Sequence, residues 1–243
     1  MLKVSWIINK DEWSKWYTHI KSKLRVTFAR DQEATDLLSR MLENKNTITF
    51  GNLQDTFSEF EHAIVVGAGP SLEKSDKIVR NLGKSVLLIS ADGATSFLIE
   101  NNVIPHVIVT DLDGKVQDIL YANEKGSITI IHGHGDNIEA LKKYVRLFKG
   151  KIMGSTQVEP RPFVYNFGGF TDGDRGVFLA AFLNIKNILL IGMDFGNIIG
   201  KYSKPGLKSS QPASEIKCEK LKIAKELINW ITSKLKLNIK HIK

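Results

Sequence analysis

The sequence predicts an α/β fold: a mostly parallel open sheet with flanking helices, behind a helical N-terminal region. Two observations carry this expectation. From Ala63 onward, short Val/Ile/Leu runs alternate with helical patterns, and each run is apolar nearly throughout, as strands buried on both faces of a parallel sheet must be. Before residue 60, apolar residues recur every three or four positions, which is helical spacing.

Two amphipathic patterns open the chain. Trp13, Trp16, Ile20 and Leu24 share one helical face, and Leu37, Leu38, Met41 and Leu42 repeat the arrangement. Three of the four tryptophans, Trp6, Trp13 and Trp16, fall here, a pattern that suits packing over the main domain better than a ligand cage. The Asn-rich break at 43–52 marks a loose boundary, dividing a helical region (1–60) from an α/β catalytic domain (61–243). Strands are expected at 63–67, 85–90, 106–111, 127–132 and 187–194. Between the last two lies a long Gly- and Pro-containing segment, 160–176, followed by the helical V-F-L-A-A-F-L. The Gly/Ser/Pro/Lys stretch 200–212 reads as a mobile loop, and an amphipathic helix over 214–235 closes the chain.

Composition removes several function classes. The 243 residues contain no apolar run of the ~20 that span a bilayer, and the N-terminus lacks a signal-peptide core, so a cytoplasmic protein without a membrane partner is expected. A lone cysteine, Cys218, excludes an intramolecular disulfide and a cysteine-rich metal site. The net charge of +8 calls for anionic partners. Much of it comes from eight C-terminal lysines: Lys217, Lys220, Lys222, Lys225, Lys234, Lys236, Lys240 and Lys243. No nucleic-acid-binding signature accompanies them, so a solvated helix face is expected rather than a nucleic-acid partner.

In an open parallel sheet the ligand crevice lies outside the carboxyl ends of the strands. Here those ends read G-A-G-P-S-L (67–72), A-D-G-A (91–94), T-D-L-D-G (110–114), H-G-H-G-D-N (132–137) and G-M-D-F-G (192–196). Four of the five carry aspartate and all five carry glycine. Gly67, Gly69, Pro70 and Ser71 suit a tight turn into a helix N-terminus that offers free N–H groups to phosphate. This is not a Walker A loop, and Leu72 stands where the third glycine of a dinucleotide fingerprint belongs. A plain strand-to-helix turn fits as well, although Asp92 and Gly93 end the next strand where a ribose-binding acid would sit. Asp111 and Asp113 are two residues apart after the third strand, so alternation would aim both into one volume. With Asp136 they offer hard oxygens to Mg²⁺; an Asx-type turn is the competing reading. H-x-H-x-D, with His132 and His134, has the form of a zinc motif, but too few other histidines remain to complete a two-metal site. Asp172, Asp174 and Arg175 share a Gly-rich loop in which the arginine offers a phosphate fork or an ordinary salt bridge.

These six motifs, in this order, resemble the archaeal 6-hydroxymethyl-7,8-dihydropterin pyrophosphokinase family of the MptE type over about residues 63–203, with a weaker N-terminal match. That family is similar in fold to thiamin pyrophosphokinase. The resemblance implies Mg²⁺-dependent transfer of diphosphate from ATP to the hydroxymethyl oxygen of the dihydropterin, releasing AMP. By position, Asp111, Asp113 and Asp136 would bind the metal, with Asp113 or Asp136 accepting the hydroxyl proton. Gly69, Ser71 and Asp92 would line the nucleotide site, and Asp172, Asp174 and Arg175 would form the opposite wall. Lys201, Lys204 and Lys208 are candidates for a lid over the phosphates. The implied partners are ATP and the pterin, with a homodimer admissible. A sialyltransferase-like glycosyltransferase and a thiamin pyrophosphokinase are the rival readings.

Overall fold

The computed structural model describes residues 6–83 and 85–242; Lys243, the last of the C-terminal lysines, lies outside them. Three helices lead: α1 (Lys10–Lys23), α2 (Phe28–Leu42) and α3 (Phe50–Thr56). The body then alternates β1 (His62–Val66), α4 (Asp76–Arg80), β2 (Val86–Ala91), α5 (Ala94–Glu100), β3 (Val107–Thr110), α6 (Val116–Glu124), β4 (Ile128–His132), α7 (Ile138–Tyr144) and β5 (Ile152–Ser155). There follow β6 (Val164–Tyr165), α8 (Asp172–Phe182), β7 (Asn187–Ile191), a two-residue antiparallel arm of β8 (Ile198–Ile199) and β9 (Gln211–Pro212), α9 (Glu215–Leu235) and β10 (Asn238–Ile242).

The main sheet has eight strands in the order β10-β7-β1-β2-β3-β4-β5-β6, with every pairing parallel. All five expected strands are present. β5, β6 and β10 are additions: β5 is only I-M-G-S, β6 is two residues long, and β10 mixes two isoleucines with three polar residues in a basic tail, as an edge strand can. From β1 the chain steps outward strand by strand to β6, then returns to place β7 on the other side of β1. The strand order therefore reverses between β1 and β7, the place where an α/β sheet opens a crevice.

The N-terminal helices have no core of their own. Trp13, Tyr17 and Ile20 of α1 join Val65, Ile89 and Val109 from the sheet and Phe178 of α8 in one cluster. Ala34, Leu38 and Leu42 of α2 pack with Ile108, Ile131 and Ile152 on the opposite face. The Trp13 indole, 1% exposed, donates to the Gln157 carbonyl at 2.8 Å, so its polar edge is satisfied as well as its ring buried. α8 lies on β1, β2 and β3 and is covered in turn by α9. No helix among the described residues is long and apolar enough to cross a membrane.

Candidate active site

A cleft of about 800 Å³ lies at the carboxyl ends of the strands, lined by all five of the expected strand-end loops, by the start of α2, by the β8–β9 arm and by the first turns of α9. Asp92, Asp111 and Asp172 meet in it, each offering a carboxylate oxygen within 4.8 Å of the others.

The D-L-D segment departs from simple alternation. β3 ends at Thr110, and Leu112 turns into the left-handed region at φ 68°, burying its side chain in the core. The two acids line the same cleft, as expected, but at different depths. Asp111 faces the cleft, accepts from the Asp113 amide at 3.3 Å in an Asx-type turn, and pairs with His134 Nε2 at 3.3 Å. Asp113 is exposed and ion-paired to Lys204. Asp136 is exposed on the cleft wall, outside the three-acid group; its amide donates to His134 Nδ1 at 3.3 Å. Of the three expected metal ligands, only Asp111 belongs to the group, and its other members are Asp92 and Asp172, expected to serve the nucleotide.

The group's electrostatics are those of acids crowded together in a buried place. Burial, then the neighbouring charges of Asp111 and Asp113, push Asp92 up to about 8, against a hydrogen bond from Thr110 that favours the anion. Asp172 is driven well above the usual carboxylate range by burial and by Asp111, Asp92 and Asp113. Asp111 goes the other way: burial raises it, but the hydrogen bond and charge of His134, with Lys204 behind, hold it at about 2. One carboxylate is held in its ionised form, while burial and mutual repulsion oppose ionisation of the other two, an opposition that a bound cation would relieve.

The histidines orient rather than ligate. His134 faces Asp111 through Nε2, with the Asp136 amide set against its Nδ1. His132, 3% exposed, is held neutral, first by burial and then by the charge of Arg175. Its Nε2 accepts from Arg175 Nη2 at 3.1 Å, leaving Nδ1 to donate to Ser155 Oγ at 3.2 Å. The two rings stack with centroids 5.6 Å apart. Asn137 joins the third and fourth strand ends, donating to the carbonyls of Asp111 at 2.8 Å and His132 at 2.6 Å.

Asp174 and Arg175 depart from their expected role on a substrate-facing wall. Asp174 is the N3 residue of a capping box: its carboxylate accepts from the amides of Phe170 at 2.6 Å and Thr171 at 2.7 Å and from the Thr171 hydroxyl. Arg175, 1% exposed, gives Nη1 to the Gly168 carbonyl at 3.1 Å and Nη2 to the Phe170 carbonyl at 3.2 Å and to His132, while its Nε is buried without a hydrogen-bond partner among the described residues. Both are buried parts of the frame that aims Asp172.

The glycine turn is also committed elsewhere. It leads into a short 3₁₀ turn, Pro70–Lys74, and Asp194 occupies the start of that turn by accepting from Ser71 N and Ser71 Oγ, both at 3.0 Å. A Cβ on Gly69 would lie 2.3 Å from the Asp194 carboxylate and one on Gly67 2.8 Å from the Gly192 carbonyl oxygen, which is why glycine stands at both positions, and both line the cleft. Gly93 has the same explanation, since its Cβ would fall on the Tyr202 carbonyl of the 200–212 segment. That segment, expected as a mobile loop, is instead docked on the body: Ser203 Oγ donates to the Ala68 carbonyl at 2.9 Å and the Tyr202 hydroxyl donates to Glu100. Burial lowers the Lys204 pKa, but the Asp113 hydrogen bond and charge outweigh it and hold the ammonium above the usual lysine value. Lys201 reaches Glu73 at 3.7 Å.

One wall comes from a region with no expected site residue. Asp31 of α2, 2% exposed, accepts from the Gly135 amide at 2.8 Å, the Tyr17 hydroxyl at 2.8 Å and Gln157 Nε2 at 2.7 Å. Burial and the Asp31 carboxylate in turn raise the Tyr17 phenol pKa. α2 thereby holds the loop that carries His134, and through His134 it fixes Asp111.

A parallel sheet whose carboxyl ends hold a cleft with a three-acid group is the layout of a ligand-binding α/β protein with a place for a hard cation. The chain belongs to the 6-hydroxymethylpterin diphosphokinase MptE-like family, whose model matches residues 36–200. It is 43% identical over 220 residues, 90% of this chain and 93% of the relative, to a protein of Methanothermobacter thermautotrophicus named 6-hydroxymethyl-7,8-dihydropterin pyrophosphokinase. Proteins of the same name from Pyrococcus furiosus and Methanocaldococcus jannaschii are 42% and 41% identical, over 91% and 93% of this chain and 93% and 97% of theirs. In fold, the chain is similar to the MAf glycosyltransferase from Magnetospirillum magneticum AMB-1, with a TM-score of 0.57 and 13% identity over 91% of this chain and 39% of that one. At that identity the likeness concerns the fold alone.

Proposed function

We propose that this chain is a 6-hydroxymethyl-7,8-dihydropterin pyrophosphokinase, transferring the diphosphoryl group of ATP to the pterin hydroxymethyl oxygen with release of AMP, and working in the cytoplasm without nucleic acid. The observation that carries the reading is the three-acid group at the strand ends of a chain whose relatives bear that name.

We assign Mg²⁺ to Asp92, Asp111 and Asp172. The donor set fits: oxygen only, three carboxylates within reach of one ion, with ionisation of Asp92 and Asp172 opposed first by burial and then by the neighbouring acids. Mg²⁺ bound there would neutralise phosphate charge as the diphosphoryl group moves. The chain's own part is positioning. His134 keeps Asp111 ionised and aimed, Asn137 ties its backbone to the fourth strand end, and the Asp174 cap with Arg175 sets the first turn of α8 so that Asp172 faces the other two acids. Of the two acids considered for accepting the hydroxyl proton, we favour Asp113, which adjoins the group through Asp111, whereas Asp136 stands apart from it. Lys204, on Asp113, would shift to a phosphate oxygen when substrates enter, releasing that carboxylate.

The test is AMP formation from ATP and Mg²⁺ with 6-hydroxymethyldihydropterin, thiamin or a CMP-sugar supplied as alternative substrates. AMP release with the pterin alone supports the reading. Turnover of thiamin or the CMP-sugar in its place would replace it.

A further inference from the structure

We infer that Lys217 and Lys220, at the start of α9, bind the polyphosphate of the nucleotide; this rests on the proposed ATP-dependent reaction and adds the phosphate-binding element that the glycine turn does not supply. The turn's Ser71 amide and hydroxyl are both spent on Asp194, and Arg175 is enclosed by carbonyls and His132. The acids on the cleft floor repel phosphate, so cations must come from the walls.

α9 supplies them on its inward face. The helix buries Ala224, Leu227 and Ile231 against the body, and stepping back along the same stripe by four and then three residues gives Lys220 and Lys217. At these positions the helix has run past the core and overhangs the cleft, and both lysines line it. They are half-buried and, among the described residues, neither is ion-paired. Of the other lysines on α9, Lys222 pairs with Glu219 at 3.4 Å and Lys234 with Glu12 at 2.6 Å, while Lys225 is exposed to solvent away from the cleft lining. An inward stripe that changes from aliphatic residues to two uncompensated ammonium groups where it meets the cleft is explained by an anionic ligand. Ile216, 64% exposed, and Leu221 flank the pair and give the attached base an apolar surface.

Calorimetric titration with Mg²⁺–ATP and, separately, with inorganic tripolyphosphate and Mg²⁺ tests the assignment. The Lys217→Gln/Lys220→Gln double variant is expected to lose about tenfold or more in affinity for both probes, with an unchanged unfolding midpoint. Lys217→Arg/Lys220→Arg is expected to recover most of the loss, and Lys222→Gln to lose nothing. Binding by the double Gln variant within about twofold of wild type would overturn the inference. Lysine-dependent tripolyphosphate binding by a wild-type protein that forms no AMP with any acceptor would remove the proposed reaction and leave the phosphate site standing. Absence of binding of either probe to wild type would overturn both.

Discussion

Replacing Asp92 by Asn is expected to stabilise the protein while abolishing its activity. The folded carboxyl titrates near 8, against 3.8 for the free group. At pH 7 the folded chain therefore holds a proton that the unfolded chain has released, so stability falls as pH rises from about 4 to about 8. Just over three units separate pH 7 from 3.8, and at 1.36 kcal/mol per unit the penalty has a ceiling of about 4 kcal/mol. Allowing half for water entry and relaxation leaves about 2 kcal/mol, or about 4–8 °C in the unfolding midpoint of a chain this size. Asn preserves shape, can still accept from Thr110, and tolerates the φ of 40° at this position. Thermal unfolding in EDTA at pH 7 and pH 4.5, then in saturating Mg²⁺ at pH 7, measures the effect. The variant should lead at pH 7 in EDTA, lose most of its lead at pH 4.5, and lose it again when Mg²⁺ stabilises only the wild type. A variant no more stable than wild type at pH 7 in EDTA would refute the account of Asp92 as an acid crowded by others in a buried place.

Three further outcomes are expected. Asp31→Ala leaves the Gly135 amide and Gln157 Nε2 unpaired in the interior, so stability should fall by about 3 kcal/mol and kcat should fall with it; denaturant unfolding and steady-state kinetics read the two effects. His134→Ala removes the group that holds Asp111 at about 2, so the acidic limb of the rate profile should move toward higher pH and metal affinity should drop about 10- to 100-fold, as a pH–rate series and Mg²⁺ titration would register. Arg175→Met should destabilise the fold by about 3 kcal/mol, because it strips buried carbonyls and His132 of their donor, yet leave KM for ATP within about twofold; a large KM change would return Arg175 to the substrate.

The sequence disclosed most of the sheet because its central strands are buried on both faces, and burial writes itself as unbroken Val/Ile/Leu. It concealed β5, β6 and β10 because a four-residue strand with Gly154 and Ser155, a two-residue strand and a half-exposed edge strand carry no such signal. The strand-end inventory found the cleft and its acids but grouped Asp111 with Asp113 and Asp136, whereas its carboxylate comes close to those of Asp92 and Asp172. Alternation was extended past Thr110 to Asp113, and a single left-handed residue, Leu112, ends that pattern. Asp172, three residues before Arg175, is aimed by the capping box that makes Asp174 structural, a pairing that the Thr171-to-Asp174 spacing already offered. Asp31 carried no local signal, since its partners lie 14, 104 and 126 residues away. Asp194 stood in a strand-end motif, but only the fold shows that it fills the glycine turn.

The central claim, that Asp92, Asp111 and Asp172 hold the divalent ion, is tested most directly by titrating Mn²⁺ into wild type and single Asn variants and following bound ion by electron paramagnetic resonance. Asp92→Asn, Asp111→Asn and Asp172→Asn should each lose the bound signal, while Asp113→Asn and Asp136→Asn keep it. Retention in the first three with loss in Asp113→Asn or Asp136→Asn would place the ion at the cleft rim and contradict the account.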